Sequence, residues 1–98
     1  MTQFILSPAA KNDLDGIWNY TVKEWGEAQA ERYMRDIKGA CYGLASGNQN
    51  SLSAENIKAG YRKSLVGSHL LFFKILDDGT INIIRILHQQ MDILQHFS

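Results

Sequence analysis

Cysteine and proline are nearly missing from this sequence, which holds one of each, Cys41 and Pro8. A single cysteine excludes an intramolecular disulfide and points to a reducing compartment. A surplus of charge is missing too: ten Lys and Arg stand against ten Asp and Glu. Gripping phosphate backbones draws on excess Lys and Arg, so bulk electrostatics argues against that as the main work and leaves only a local basic patch. No stretch approaches the ~20 apolar residues that span a bilayer. The opening Met-Thr-Gln-Phe-Ile-Leu-Ser-Pro lacks the basic region and apolar run of a signal peptide. The expectation is a cytoplasmic chain with no membrane contact. A Walker loop, a glycine-rich phosphate cradle and a paired-carboxylate motif are all lacking. The histidines form no metal-ligand spacing with the lone cysteine, so neither metal nor cofactor is expected.

What is there suits one domain spanning residues 1–98. Hydrophobic residues make up 45%, enough for a core. At this length folding buries only roughly 60–70% of the unfolded chain's surface, so that core is thin and a protein partner would add to its stability. Gln3 to Leu6 reads as a strand; Ser7 then caps a helix with Pro8 at its first position. Ala10, Leu14, Ile17, Thr21 and Trp25 recur at helical spacing on one face, Gly16 inside it carries a penalty of about 1 kcal/mol, and Gly26 is the stop. Ala30, Tyr33, Ile37, Cys41 and Leu44 repeat the pattern, with Glu27, Glu31, Arg35 and Lys38 opposite and Ser46-Gly47 closing it. So short a link makes the pair an antiparallel helical hairpin.

Gly47 to Lys58 is polar and turn-rich and reads as a loop, with one short helical turn at most. Three runs of strand length follow: Tyr61–Val66, His69–Leu76 and Ile81–His88. Gly67-Ser68 and Asp77-Asp78-Gly79-Thr80 join them with hairpin chemistry. In the middle run Leu71, Phe73 and Ile75 share one face, and Leu70, Phe72 and Leu76 share the other with Lys74. A strand apolar on both sides is central and needs cover on each face. The expected class is α/β in the broad sense, more narrowly α+β. A strand, a helical hairpin and a three-stranded antiparallel meander give a four-stranded, mostly antiparallel sheet. Both helices lie on one face, the other awaits a partner, and a short tail runs from Gln89 to Ser98.

This order resembles, over the whole chain, the RelE/ParE superfamily of toxin–antitoxin toxins. Gly60-Tyr61-Arg62-Lys63 and Gly67-Ser68-His69, leading into Leu71-Phe72-Phe73, are similar to its ParE branch. So are Arg85-Ile86-Leu87-His88-Gln89-Gln90-Met91-Asp92 and Ala9-Ala10-Lys11-Asn12-Asp13-Leu14, with Trp18 and Trp25-Gly26 later in that helix. The resemblance implies a growth-arresting toxin of a type II toxin–antitoxin system, of the plasmid-stabilisation kind. It implies neutralisation by a ParD-like antitoxin whose C-terminal segment wraps the toxin as helix and added strand. It implies DNA gyrase as target, trapped on its cleaved DNA, and operator DNA reached only through the antitoxin complex. The rival readings are a RelE-like ribosome-dependent mRNA endoribonuclease and a non-toxic relative that still binds antitoxin. Cutting RNA needs a base, an acid and cations for the phosphorane charge. In an approximate pairing of the two patterns the chain keeps Arg62 but puts Ser64, Leu70 and Gln89 where cations are expected.

No catalytic residue is assigned on this reading. Arg85 alternates with Ile83 and Leu87, which puts it on the sheet face the helices leave open. There it either pairs with an acidic neighbour or, with Arg62, contacts a target through its fork of donors. His88 is of a residue type that can act as acid or base, but without a matching cationic set it is read as ending the last strand and bonding to the tail. The tail's Met91, Ile93, Leu94 and Phe97 need apolar space that a small core lacks. Arg62, Arg85, His88, Met91 and Phe97 thus form the target-binding set. Trp18, off the main helical face, joins Trp25, Leu70 and Phe72 as antitoxin-binding candidates. Cys41 is read as an inert buried hydrophobe.

Overall fold

The structure, a computed structural model, describes residues 3–97. β1 (Phe4–Leu6) runs into α1 (Pro8–Trp25), followed by α2 (Glu27–Ser46), β2 (Leu52–Ser53), β3 (Tyr61–Val66), β4 (His69–Ile75) and β5 (Ile81–His88). A 3₁₀ turn (Ile93–His96) lies in the tail. Ser7 caps α1 as its position implies. Its Oγ accepts from the Ala10 amide at 3.0 Å and donates to the Ile84 carbonyl at 2.7 Å, so one hydroxyl starts the helix and ties it to β5. Gly26, at φ 90°, breaks the backbone between the helices in a region that side chains disfavour.

The α+β class and the strand–helix–helix–strands order are as expected, but the sheet has five strands rather than four, in the order β1-β5-β4-β3-β2. β1 lies parallel to β5, with Phe4 opposite Ile81, and the remaining pairings are antiparallel. The added strand, β2, comes from the polar stretch read as a loop. Polar side chains of β3 hold the residues leading into it: Ser64 Oγ donates to the Asn50 carbonyl at 2.7 Å and accepts from Gln49 Nε2 at 3.0 Å. Arg62 donates to Ser51 through Nε at 2.9 Å and through a terminal nitrogen at 3.2 Å.

Both faces of the sheet carry a core. Ile17, Ile37, Cys41 and Leu44 of the helices bury Leu71, Phe73, Ile83 and Ile86 on one face. On the other, Phe72 and Leu87 lie under Ala54, Ile57, Tyr61, Ile93 and Phe97. The expectation that this second face awaits a partner is therefore corrected at its centre: Phe72 is only 1% exposed, roofed by its own chain. Phe97 stands edge-on to Phe72 and Tyr61, with ring centroids at 5.1 and 5.7 Å. Trp25 also departs from its expected place on the buried stripe of α1. It is 70% exposed, because that stripe ends at Thr21, whose hydroxyl turns back to the Ile17 carbonyl.

A β-bulge alters β5. Phe72 pairs with Arg85 and Phe73 with Ile83, so Ile84 is the extra residue and the strict alternation through the strand is broken there.

Candidate functional site

Arg85 leaves that bulge toward α1, not onto an open sheet face. Its Nε and one terminal nitrogen donate to the two oxygens of Asp13 at 2.8 and 2.9 Å, a bidentate pair. The Ile86 amide donates to the same carboxylate at 2.9 Å. The acidic-neighbour reading of Arg85 is the one realised. β1 is too short to accompany β5 past Ile83, and the side chains of Ser7 and Asp13 take the place of a strand along that edge. Hydrogen bonding to Asp13 raises the pKa of the Arg85 guanidinium further, against the smaller opposing effect of burial. Asp13 was quoted only within the Ala9–Leu14 run and given no role: it is a carboxylate one step off the apolar stripe of α1, and nothing marked Arg85 as its partner.

Next to this clamp stand two histidines. His69 and His88 are directly opposite in register, with ring centroids 5.2 Å apart. The Tyr33 hydroxyl lies 2.6 Å from His69 Nδ1 and 3.1 Å from the Val66 carbonyl, and it accepts from the Ser68 amide at 3.1 Å. It thus staples α2 to the β3–β4 turn. Gly67 permits this approach at φ +56°, since a Cβ there would come 2.6 Å from the tyrosine ring. Burial first, and His88 second, lower the pKa of His69, with Asp13 acting the other way. Burial also raises that of the Tyr33 hydroxyl. His88 Nδ1 accepts from the Gln90 amide at 3.1 Å, the local bond to the tail expected of it. In its neutral form its proton therefore sits on Nε2, which makes it a donor.

Asn12, Asp13, Gly16, Ile17 and Tyr20 form one wall of a groove of about 650 Å³. His69, the β5 residues Arg85 to His88 and the tail residues Gln90, Met91 and His96 form the other. Tyr20, 64% exposed, and the exposed Met91 stand in its lining. All three histidines line it, but among the described residues no three His, Cys, Asp or Glu side chains are placed to hold a metal ion.

The groove brings together three of the five residues expected to touch a target: Arg85, His88 and Met91. Arg62 is engaged with Ser51 instead, on the far side of the sheet from β5. Phe97 belongs to the second core with Phe72 and the half-buried Leu70. Of the antitoxin candidates, Trp25 stands exposed at the end of α1, Trp18 is half-buried and Phe72 is enclosed. Cys41 is buried, and burial pushes its thiol pKa up to about 11, so it is poorly ionised at neutral pH. No helix among the described residues is long and apolar enough to cross a membrane.

The profile of the family described as "ParE toxin of type II toxin-antitoxin system, parDE" matches residues 4–93. Toxin ParE1 of Mycobacterium tuberculosis is 40% identical over 92 residues, which cover 94% of each chain. Toxin ParE1 of Caulobacter vibrioides is 38% identical over 96 residues, covering 98% of each. The solved chromosomal ParDE TA system from P. aeruginosa superposes with a TM-score of 0.74 over 90% of this chain and 95% of that one. Its 22% identity makes that a likeness of fold. With a match across nearly all of its length, and relatives this similar, the chain belongs to the ParE toxin family of type II toxin–antitoxin systems.

Proposed function

We propose that the chain is a cytoplasmic toxin that arrests growth by binding DNA gyrase and trapping its cleaved DNA complex, and that a ParD-like antitoxin neutralises it. Operator DNA is reached only through the antitoxin. The reading of this chain as a binder and not an enzyme rests chiefly on what has become of its cations. Arg85, the cationic side chain of the groove apart from the histidines, is neutralised by both oxygens of Asp13. Arg62 is bonded to Ser51, and Ser64, at a position where a ribonuclease pattern calls for a cation, is buried and bonded to Asn50 and Gln49. A phosphorane developing in the groove would meet Arg85 already paired with a carboxylate, and Ser64 stands in place of one expected cation.

Purified chain added to a gyrase supercoiling assay is expected to inhibit the enzyme and to accumulate cleaved DNA. Undiminished supercoiling with no cleaved complex refutes the reading. Intact transcripts during toxin-induced arrest are expected as well, whereas messages cut at the ribosome would favour the ribonuclease. Unimpaired growth on expression without antitoxin would leave a non-toxic antitoxin-binding relative.

A further inference from the structure

We infer that the tail from Gln90 to Phe97 is a strap operated by a proton: neutral His88 fastens it across the sheet, and protonated His88 releases it and uncovers the Phe72 face. The device goes beyond the toxin reading and does not depend on which target the chain binds.

The strap has a tip and a root. At the tip, Ile93 and Phe97 pack on Phe72 and Leu87, which are only 1% and 2% exposed. At the root, the Gln89 amide ends the sheet ladder on the Ser68 carbonyl at 2.9 Å. Beyond it the Met91 amide donates to the His88 carbonyl at 3.0 Å and the Gln90 amide to His88 Nδ1 at 3.1 Å. The 3₁₀ turn between root and tip spans four residues, and no side chain caps its start. The carbonyl acceptors are indifferent to pH. The imidazole nitrogen is an acceptor only while it carries no proton.

Protonation puts a hydrogen on His88 Nδ1, so two donors face each other where one bond had been. Release of the strap leaves both free to bond water, and lowering the pH therefore favours release. His69 shows why His88 is the sensitive member of the pair. Each has Nδ1 engaged, but the partner of His69 is the Tyr33 hydroxyl. That hydroxyl can give its hydrogen to His69, or turn it to the Val66 carbonyl 3.1 Å away and accept from His69 instead. A proton on His69 thus keeps its hydrogen bond, whereas the Gln90 amide has no second role to take.

The charged and titratable groups around His88 offer its cation no partner. Asp13 of α1 is already committed to Arg85 and to the Ile86 amide. His69 of β4 stands with its ring centroid 5.2 Å away, so a second proton there adds like charge. Burial first, and His88 second, lower the pKa of His69 and hold that second proton off to lower pH. Tyr20 of α1 and His96 of the tail line the same groove, and Arg85 shares it with Asp13. The carboxylate of the tail, Asp92, is exposed to water.

Hydrogen exchange of the full chain, read residue by residue by NMR and corrected for the pH dependence of the chemical step, tests the strap. The amides of Met91 and Phe97 are bonded to backbone carbonyls and not to the ring, so they report release and not the loss of one bond. Their protection is expected to fall about 5–30-fold between about pH 7.5 and about pH 5. The amides at the centre of β4 should remain far better protected throughout, which marks the opening as local. His88→Asn sets an uncharged amide oxygen close to the place of Nδ1 and should keep the tail protected across the range. His88→Leu removes the acceptor and should show at about pH 7.5 the low protection that the parent reaches at about pH 5. His69→Gln and His96→Gln should respond as the parent does. A parent tail whose protection does not change with pH overturns the inference, and so does one with no protection at either end of the range. Equal losses in the tail and in β4 overturn it too, because the proton would then unfold the whole chain. So does a response that survives in His88→Asn or vanishes in His69→Gln or His96→Gln, since the proton would act elsewhere.

Discussion

Replacing Asp13 by alanine removes one carboxylate and strands three donors on two residues, and the geometry sets the size of the effect. Arg85 and Asp13 side chains are 22% and 11% exposed. The pair therefore falls between surface pairs worth about 0–1 kcal/mol and buried ones whose disruption costs about 3–5 kcal/mol. Water reaching the guanidinium holds that part to about 1–2 kcal/mol. Ile86 is buried, so its amide, bonded to Asp13 at 2.9 Å, loses its partner with little water to replace it. That adds about 1–2 kcal/mol. The sum, about 2–4 kcal/mol, is a large share of the ~5–15 kcal/mol that holds a domain together. It corresponds to a fall in melting temperature of about 10–25 °C. Arg85→Ala leaves Asp13 bonded to the Ile86 amide and should cost only about 1 kcal/mol. Asp13→Asn, which keeps an acceptor for that amide, should lie between the two. Urea unfolding of the three variants and of the Asp13→Ala/Arg85→Ala double mutant gives the coupling directly. If Arg85→Ala costs as much as Asp13→Ala, the carboxylate is not standing in for a strand, and the account of this edge fails.

Acid should weaken the fold through His69. Its pKa is lowered from 6.5, so the folded state takes up the proton at lower pH than the unfolded chain does. The stability it supports is complete above about pH 6.5 and is lost as pH falls through the lower folded value; His69→Gln should flatten that part of the urea midpoint profile, and an unchanged profile rejects the assignment. Cys41, buried with its pKa pushed up to about 11, should react with a thiol reagent only as fast as the chain opens; prompt reaction in native buffer counts against the packing described. Phe97→Ala should cost about 1–3 kcal/mol by thermal melting, because its ring covers Phe72 and Tyr61. It thereby separates a stabilising role of the tail from a contacting one. Gly67→Ala, forced against the Tyr33 ring at positive φ, should lose about 1–3 kcal/mol; a neutral outcome would mean that the Tyr33 staple gives way easily.

The helical hairpin was legible because several signals coincide there: Ser7 and Pro8 at the start, Gly26 between the helices, and apolar residues at helical spacing. The meander was legible through its two turns. β2 was not, because strand patterning reads apolar alternation, and what holds this segment is hydrogen bonding from Arg62 and Ser64 to a polar run. Arg85 was assigned to the wrong surroundings for a related reason. Alternation assumes an unbroken ladder, and the bulge at Ile84 breaks it within the strand that mattered. The excess of apolar residues in the tail was visible, but not where it would go. Ile93 and Phe97 cover the Phe72 face, while Met91 and Leu94 remain exposed. The groove itself was half legible. Arg85, His88 and Met91 were named as target contacts without any groove in view, whereas Asp13 and Gly16 depend on which side of α1 faces β5, and that is a matter of packing.

The parallel pairing of β1 with β5 also fixes the order in which the molecule can be finished. Ser7 and the Ile84 carbonyl it bonds are 77 positions apart, so this closure is among the least local contacts in the chain and forms late. At about 5–20 residues per second, translation takes roughly 5–20 seconds, and for most of that time the N-terminal strand has emerged with no neighbour to join. α1 and α2 can fold against each other meanwhile, but Asp13 has no amide to receive until Ile86 exists. A message broken upstream of Ile84 therefore yields a helical hairpin without its groove, and only a nearly full-length product can assemble that surface.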